Sequence, residues 1–216
     1  MNQMTKSDLI GLTDVAAKIP QFMTKMPHLI TGLKQAYLRT PNTPAGLGLA
    51  FEKAVHRNPH GCALMFEDQQ YSYLQLNAWA NQIAHYYLSI GARKGDVIAV
   101  MLENRPELIA SVIGLAKIGV IAALVNTAQV AKVLAHSINL VKPIAVIVGE
   151  ECRQAVADIR QELELAENRL YWFADQNTRT DTGTAPEGFQ NLAQCIASFP
   201  SFNPATTQSV QGKDGL

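Results

Sequence analysis

The feature that most constrains the fold is a regular alternation of short apolar runs with longer amphipathic segments. The runs are rich in Val, Ile, Ala and Leu, which is typical of strands buried on both faces. Helical segments of ten or more residues separate most of them, so the sequence predicts right-handed crossovers and an α/β fold: a largely parallel sheet with helices on both faces. The predicted strands are Cys62–Phe66, Val97–Met101, Val120–Val125, Ile144–Val148 and Leu170–Phe173.

The predicted helices carry recognisable start and stop signals. Ser72 and Gln75 have the spacing of a capping box, and Gly91 marks the end of the helix that follows. The polar turn Glu67–Gln69 predicts a hairpin after the first strand. The predicted helices are Gly48–Arg57, Tyr73–Ile90, Pro106–Ile118, Val130–Leu140, Cys152–Leu165 and Leu192–Ala197.

The run Leu108–Val125 has the length of a membrane span and Lys117 as its only charge. However, Gly119 stands where a helix would end, and Val120–Val125 is apolar with several β-branched residues. The pattern therefore favours a buried helix followed by a buried strand.

The composition divides the chain into three parts. Residues 1–45 are predicted to form a helical extension, 46–174 the α/β core, and 175–216 a loop-rich connection. Asp175–Gly188 is rich in Asn, Thr, Gly and Pro, which is typical of a surface loop, and Pro200–Leu216 is expected to be polar and unstructured.

The segment Leu9–Leu38 carries an apolar stripe at helical spacing, flanked by a few basic residues. An amphipathic helix of this kind packs on its own domain, on a second subunit in a homodimer, or on a membrane surface. Pro20, Pro27 and the sparse basic residues favour protein packing over peripheral membrane contact. The stripe consists of Ile19, Phe22, Met23, Met26, Ile30, Leu33 and Tyr37.

Charge and cysteine content narrow the classes of function. Lys plus Arg and Asp plus Glu each number 18, and no dense basic stretch occurs, so nucleic acid is not an expected partner. Cys62, Cys152 and Cys195 lie far apart, which argues against a disulfide framework or a thiolate metal site. The sequence therefore predicts a protein of the reducing cytoplasm, on the inner face of the membrane if the apolar stripe binds lipid.

The common phosphate-binding and nucleophile motifs are missing from the sequence. The turn after Val97–Met101 contains no glycine, which argues against a dinucleotide-binding turn, and neither a P-loop nor a nucleophile elbow occurs. His56 and His60 have the spacing of a helical metal pair, but Pro59 breaks the helix between them. These residues predict neither a catalytic nor a metal site.

Two stretches resemble the early part of adenylate-forming acyl-CoA synthetases: Glu67–Asn77 and Gly91–Val100. A third, Asn104–Glu107 with Gly114–Gly119 and Ala122–Thr127, resembles the branch of fatty acid transport proteins and very-long-chain acyl-CoA synthetases. The combined spacing is specific for this superfamily.

The resemblance implies a partial N-terminal large domain of a long-chain fatty acid–CoA ligase. Such a ligase joins a long-chain fatty acid to ATP with Mg²⁺, releases pyrophosphate, and transfers the acyl group to coenzyme A. By the resemblance, the phosphate loop begins shortly after a position like Lys213–Asp214, and the catalytic lysine lies beyond Leu216. The chain alone is therefore expected to be inactive, with no catalytic residue and no tightly bound cofactor.

The matched residues are interpreted first as structural. Asn104 and Glu107 are expected to cap a helix, Gly114 to allow close packing, Gly119 to end the helix, and Lys117 to snorkel to the surface.

The resemblance also implies contacts with coenzyme A for Asn126, Thr127 and Arg153. The alternative function is a non-catalytic module that binds fatty acid, a membrane or a partner protein. A nicotinamide-dependent oxidoreductase is disfavoured by the glycine-free turn.

Overall fold

The computed structural model describes residues 40–174 and 184–214, together with seven positions between 23 and 33. By its internal contacts the chain divides into two units, residues 1–42 and 43–216. Most of the amphipathic helix predicted for 9–38 and most of the loop predicted for 175–188 lie outside the described residues, although the seven described positions between 23 and 33 are helical. The three-part division at residues 45 and 174 stays a prediction.

A five-stranded parallel sheet forms the centre of the second unit, in the order β4-β3-β5-β6-β7. A separate antiparallel hairpin pairs β1 with β2. The strands are β1 (Cys62–Phe66), β2 (Gln69–Ser72), β3 (Val97–Met101), β4 (Ile121–Leu124), β5 (Ala145–Gly149), β6 (Leu170–Phe173) and β7 (Gln190–Asn191). The predicted α/β fold and parallel sheet are confirmed.

Helices cover both faces of this sheet, because the side chains of each strand alternate between two apolar clusters. Ile98 and Val100 of β3 pack with the first two long helices after the hairpin, whereas Ala99 and Met101 pack with the helix after β4. The helices are α1 (Leu47–Arg57), α2 (Tyr73–Ser89), α3 (Pro106–Lys117), α4 (Ala131–Leu140), α5 (Arg153–Asp158) and α6 (Leu192–Ile196).

The long apolar run divides as predicted. Its first part forms α3 and its second part forms β4, with Gly119 between them at a φ of +72°. Positive φ is accessible to glycine without strain, so Gly119 ends the helix. No helix within the described part of the chain is both long and apolar enough to cross a membrane.

Of the two predicted helix caps, the structure contains the one at α2 and not the one at α3. Ser72 and Gln75 form the capping box, with Ser72 Oγ accepting from the Gln75 amide at 3.2 Å. Asn104 is not the cap of α3: Arg105 occupies that position without a side-chain cap, and the Glu107 carboxylate binds the Arg105 guanidinium. The predicted capping role of Asn104 and Glu107 is therefore wrong, because the guanidinium engages the carboxylate.

The predicted helix Cys152–Leu165 is too long. The structure has α5, and then a 3-10 turn at Arg160–Glu162. Asn139 of α4 accounts for the early end, since its side chain binds the Glu162 carbonyl and the Glu164 amide at 2.8 and 3.0 Å. The Glu164 amide, which a helix continuing to Leu165 would have bonded internally, is thereby held by a side chain instead.

Lys117 does not snorkel. Its side chain is fully buried, and Nζ lies 2.6 Å from Asn81 Oδ1, 2.7 Å from Asn77 Oδ1, 2.9 Å from Asn203 Oδ1 and 3.3 Å from Glu52 Oε1. Burial lowers the pKa of Lys117, and the charge of Glu52 acts in the opposite direction. These five residues, the lysine cluster, join α1, α2, α3 and the segment near residue 203.

The end of the chain is more ordered than its composition predicts. Within Pro200–Asp214 the side chains of Thr207 and Val210 are buried, and two 3-10 turns form. The expectation of an unstructured connection is therefore wrong for these residues.

An antiparallel bridge joins the two ends of the second unit. Pro44 pairs with Gln211, and the Ala45 amide donates to the Val210 carbonyl at 3.0 Å. We refer to this pairing as the end bridge.

Candidate functional site

A cavity of about 650 Å³ opens at the carboxyl ends of β3 and β4. The chain leaves β3 for β4 on one side and returns to β5 on the other, so the direction of winding reverses at this place. In open parallel sheets ligands bind outside the carboxyl ends of the strands at such a reversal. The polar residues of the lining are Glu67, Gln69, Tyr71, Glu103, Asn104, Arg105, Glu107, Asn126, Thr127 and Glu151.

The charge of this cavity is predominantly negative. Four glutamates line it, against Arg105 as the cation among the described lining residues. A phosphate group would meet repulsion from these carboxylates, whereas a neutral or cationic group would not. The carboxylates are Glu67, Glu103, Glu107 and Glu151.

Arg105 ties three connections together at the base of the cavity. Its Nε donates to Glu107 Oε2 at 2.9 Å, its Nη1 donates to Glu151 Oε2 at 3.0 Å, and its Nη2 donates to the Ala174 carbonyl. Glu151 also accepts from the Glu103 amide at 2.7 Å. The loops that follow β3, β5 and β6 are thereby held together.

Opposing effects act on the pKa of Arg105. Burial lowers it, but the hydrogen bond and charge of Glu107, together with Glu151, outweigh burial and raise it. The guanidinium therefore remains charged, and it serves as a permanent link between the two carboxylates.

Asn126 and Thr127 are brought together at the rim of the cavity, in the turn after β4. Asn126 Oδ1 accepts from the Ala128 amide at 2.9 Å, and the Asn126 carbonyl accepts from the Gln129 amide at 3.1 Å. Both contacts shape the turn. Thr127 is the next residue and lines the same cavity.

Arg153 lies elsewhere. It begins α5 and does not belong to the cavity lining. Its Nε donates to Glu150 Oε1 at 3.1 Å, and the other oxygen of Glu150 accepts from Trp172 Nε1 at 2.6 Å. Of the three predicted coenzyme A residues, the structure brings two together and separates the third.

The sequence did not single out Tyr71 or Glu103, Arg105 and Glu151 as site residues. Tyr71 donates to Gln69 Oε1 at 2.5 Å, and burial, followed by the charge of Glu107, raises its pKa. Their positions could have identified them, because polar residues directly after buried strands meet at one edge of a parallel sheet.

The described residues do not fit the phosphates or the metal of Mg²⁺–ATP. The cavity presents carboxylates and no lysine, and the described residues contain no group of three or more His, Cys, Asp and Glu placed to hold a metal.

Comparison with known sequences identifies relatives over most of the chain. A family described as AMP-binding enzyme matches residues 51–209. The medium/long-chain fatty acid–CoA ligase FadD6 of Mycobacterium tuberculosis is 31% identical over 205 residues, which are 95% of this chain and 32% of that protein. Long-chain fatty acid transport protein 1 of Rattus norvegicus is 36% identical over 115 residues, which are 52% of this chain and 18% of that protein.

Solved structures show the same fold. The structure of the anthranilate CoA ligase AuaEII in complex with anthranoyl-AMP matches with a TM-score of 0.69 at 19% sequence identity. The match covers 79% of this chain and 31% of that ligase. The N-terminal domain of FACL13 from Mycobacterium tuberculosis has a TM-score of 0.60 at 22% identity; 74% of this chain covers 38% of that domain. This chain thus spans about a third or less of the curated relatives it matches.

Proposed function

Because this chain belongs to the AMP-binding enzyme family, we propose that it supplies part of the N-terminal domain of an ATP-dependent long-chain fatty acid–CoA ligase. The observation that carries the proposal is its similarity to a fatty acid–CoA ligase over 95% of its length. The similarity to a long-chain fatty acid transport protein over 115 residues supports the same substrate class.

The complete ligase would carry out an adenylyl transfer followed by an acyl transfer. The fatty acid carboxylate attacks the α-phosphorus of ATP, and pyrophosphate leaves. The thiol of coenzyme A then attacks the acyl carbonyl, and AMP leaves. Adenylation is needed because a carboxylate is a poor electrophile. In the complete ligase, residues other than the described ones would hold the Mg²⁺ that offsets the phosphate charge.

The chain alone is proposed to be inactive. The acidic cavity supports this proposal, since its carboxylates disfavour the phosphates on which the first step depends. The share of each relative that the chain spans supports it as well, because two thirds of FadD6 have no counterpart in the matched region.

We further propose that Asn126 and Thr127 contact the neutral pantetheine arm of coenzyme A and that Arg153 contacts its phosphates. Support for the first pair is their place at the rim of a cavity that favours neutral groups. Arg153 lies outside this cavity, and its side chain is 34% exposed while Nε binds Glu150. The rest of its guanidinium is proposed to meet a more distant part of the same cofactor.

The function is tested with the 216-residue chain and with a chimera in which this chain replaces the matching region of FadD6. The chain alone should release no pyrophosphate from ATP with palmitate. The chimera should release pyrophosphate in proportion to palmitate and form palmitoyl-CoA. Acyl-CoA formation by the chain alone would refute the proposed inactivity. A folded chimera that adenylates only amino acids would refute the fatty acid assignment.

The coenzyme A contacts are tested in the same chimera. Thr127→Val and Arg153→Ala should each raise the KM for coenzyme A and leave palmitate-dependent pyrophosphate release unchanged. Arg57→Ala, an exposed arginine on α1, is the matched control and should change neither. An unchanged KM for coenzyme A in either variant would remove that residue from the site.

The alternative is a non-catalytic module that binds fatty acid, a membrane or a partner. Titration of the 216-residue chain with palmitate and with anionic lipid vesicles is followed by tryptophan fluorescence. Saturable binding, together with a folded chimera that forms no palmitoyl-CoA, supports the module.

A further inference from the structure

A further cavity, of about 260 Å³, borders the amino end of β6. The candidate cavity described above opens instead at the carboxyl ends of β3 and β4. Because the strands are parallel, the two cavities lie at opposite ends of the sheet, and a ligand in one does not occupy the other. We refer to the further cavity as the arginine cavity; its lining includes Arg160, Leu163, Leu165, Glu167, Arg169 and Gly188.

The side chain of Arg160 lies directly over the backbone of Gly188. A Cβ atom at residue 188 would be 1.9 Å from Arg160 Nη1 and 2.4 Å from Arg160 Cζ, so the guanidinium occupies the space that a larger residue would fill. Gly188 also has a φ of +81°, which glycine adopts without strain. Within the described part of the chain, the Arg160 guanidinium has no hydrogen bond or ion pair, so its five donors are available to a ligand.

The side chain of Arg169 is positioned by α2. Its Nη2 donates to the Ile90 carbonyl at 3.4 Å, and Ile90 is the C-cap of α2. A cation is favourable at this place, because the carbonyl groups at the end of a helix carry partial negative charge. Arg169 directly precedes β6 and is half-buried, and most of its N–H donors remain unused by the described residues.

The charges of this cavity are not neutralised by ion pairs. Glu167 lines it too, but among the described residues it forms no ion pair with either arginine. Arg105 and Arg153, by contrast, each bind a glutamate. Two guanidinium groups on one cavity wall repel each other, and an anion that accepts hydrogen bonds from both would remove this repulsion.

We propose that the arginine cavity binds a phosphate group, either as free phosphate or as part of a small phosphate ester. A carboxylate has two oxygens, which a single guanidinium can saturate, whereas a tetrahedral phosphate has further oxygens for a second guanidinium. The partly buried side chains of Leu163 and Leu165 border the same cavity and would accommodate the carbon atoms of an ester. The inference does not rest on the proposed ligase function.

Titration of the 216-residue chain, followed by the amide signals in NMR spectra at constant ionic strength, tests the site. Inorganic phosphate and glycerol 3-phosphate should each cause saturable shifts at residues 166–169 and at Gly188, and none at Asn126 or Thr127. Sodium acetate should cause no saturable shift. Tighter binding of glycerol 3-phosphate than of inorganic phosphate assigns the site to an ester, and the reverse order assigns it to free phosphate.

Matched variants test the role of the guanidinium groups. Arg160→Ala should weaken phosphate binding about tenfold, because charge-assisted hydrogen bonds are lost. Gly188→Ala keeps both charges but displaces the Arg160 guanidinium, and it should weaken binding to a similar extent. Arg57→Ala removes an exposed arginine of α1 and should leave the affinity unchanged. Urea unfolding checks that each variant is folded.

Four outcomes would overturn the inference. The first is the absence of saturable shifts with both phosphate compounds, and the second is saturable shifts that map to another part of the chain. The third is acetate binding as tight as phosphate binding, which would assign the cavity to carboxylates. The fourth is an equal loss of affinity in Arg160→Ala and Arg57→Ala. None of these measurements uses ATP or palmitate, so failure of the ligase assay would refute the proposed function alone.

Discussion

Replacing Lys117 with methionine tests how the interior of the fold is held together. Methionine has a similar length and no charge, so the stem of the side chain stays packed while the ammonium is lost. The oxygens that Nζ contacts in Asn77, Asn81 and Glu52 then lose that donor. Asn203 Oδ1 keeps two donors, from Asn77 and Asn81.

The cost follows from these orphaned oxygens. An unsatisfied buried amide oxygen costs about 1 kcal/mol at the low end of its range, and a carboxylate costs more. Removing one partner of a buried ion pair typically costs about 3–5 kcal/mol. We therefore expect Lys117→Met to lower the free energy of unfolding by about 4 kcal/mol, a large part of the stability of a typical domain.

Urea unfolding followed by tryptophan fluorescence measures this change, and Lys53→Met is the control. Lys53 is exposed on α1, one residue from Glu52, and its replacement should change the stability by less than about 0.5 kcal/mol. Adding Glu52→Gln to Lys117→Met should recover part of the loss, because no charge then remains buried. A loss below about 1 kcal/mol for Lys117→Met, or no recovery in the double variant, would refute the reasoning.

The pH dependence of stability provides an independent check of the same lysine. Its folded-state pKa is lowered, so between that pKa and the ordinary 10.5 the unfolded chain binds more protons than the folded one. Stability should therefore rise with pH in this window. The rise should be absent in Lys117→Met.

Three further predictions concern Tyr87, the cysteines and Gly114. The Tyr87 hydroxyl is buried without a hydrogen-bond partner in the described structure, so Tyr87→Phe should be neutral or stabilising by about 1 kcal/mol in urea unfolding. Because burial raises the pKa of Tyr87 well above 10.0, stability should fall as pH rises above that value, and less steeply in the variant. Burial, followed by the charges of Glu151 and Glu103, raises the pKa of Cys152 to about 11, so alkylation near neutral pH mapped by mass spectrometry should label exposed Cys62 first and Cys152 last. Gly114→Ala should destabilise by about 1–3 kcal/mol, read from the urea midpoint, because its Cβ would lie 2.5 Å from the Ala80 carbonyl oxygen; an unchanged midpoint would contradict the close packing of α2 on α3.

The sheet was predictable because a buried parallel strand can be recognised from its own residues alone. Leu170–Phe173 has the same bounds in the sequence prediction and in the structure, and Val97–Met101 does too. Each is a short apolar run between polar turns, and no distant residue is needed to recognise it. Boundaries shifted where side chains compete for backbone groups, as Asn139 does beyond α5.

The lysine cluster and the cavity were not predictable in this way. Glu52, Asn77 and Asn203 are separated from Lys117 by 65, 40 and 86 positions, so no local pattern connects them. A single lysine in an apolar run is more often a surface cation than a buried one. Similarly, Arg105 and Glu151 are joined only because β3 and β5 are neighbours in the sheet.

The end bridge determines how the second unit can be connected to another protein. Since Pro44 and Gln211 lie side by side, a short linker between them would cyclise the backbone of the second unit with little distortion. The chain could then be reopened at the exposed hairpin turn near Asp68 to give a circular permutant. Because its two ends are adjacent, the second unit could also be inserted into a surface loop of an unrelated host protein without separating the two ends of that loop.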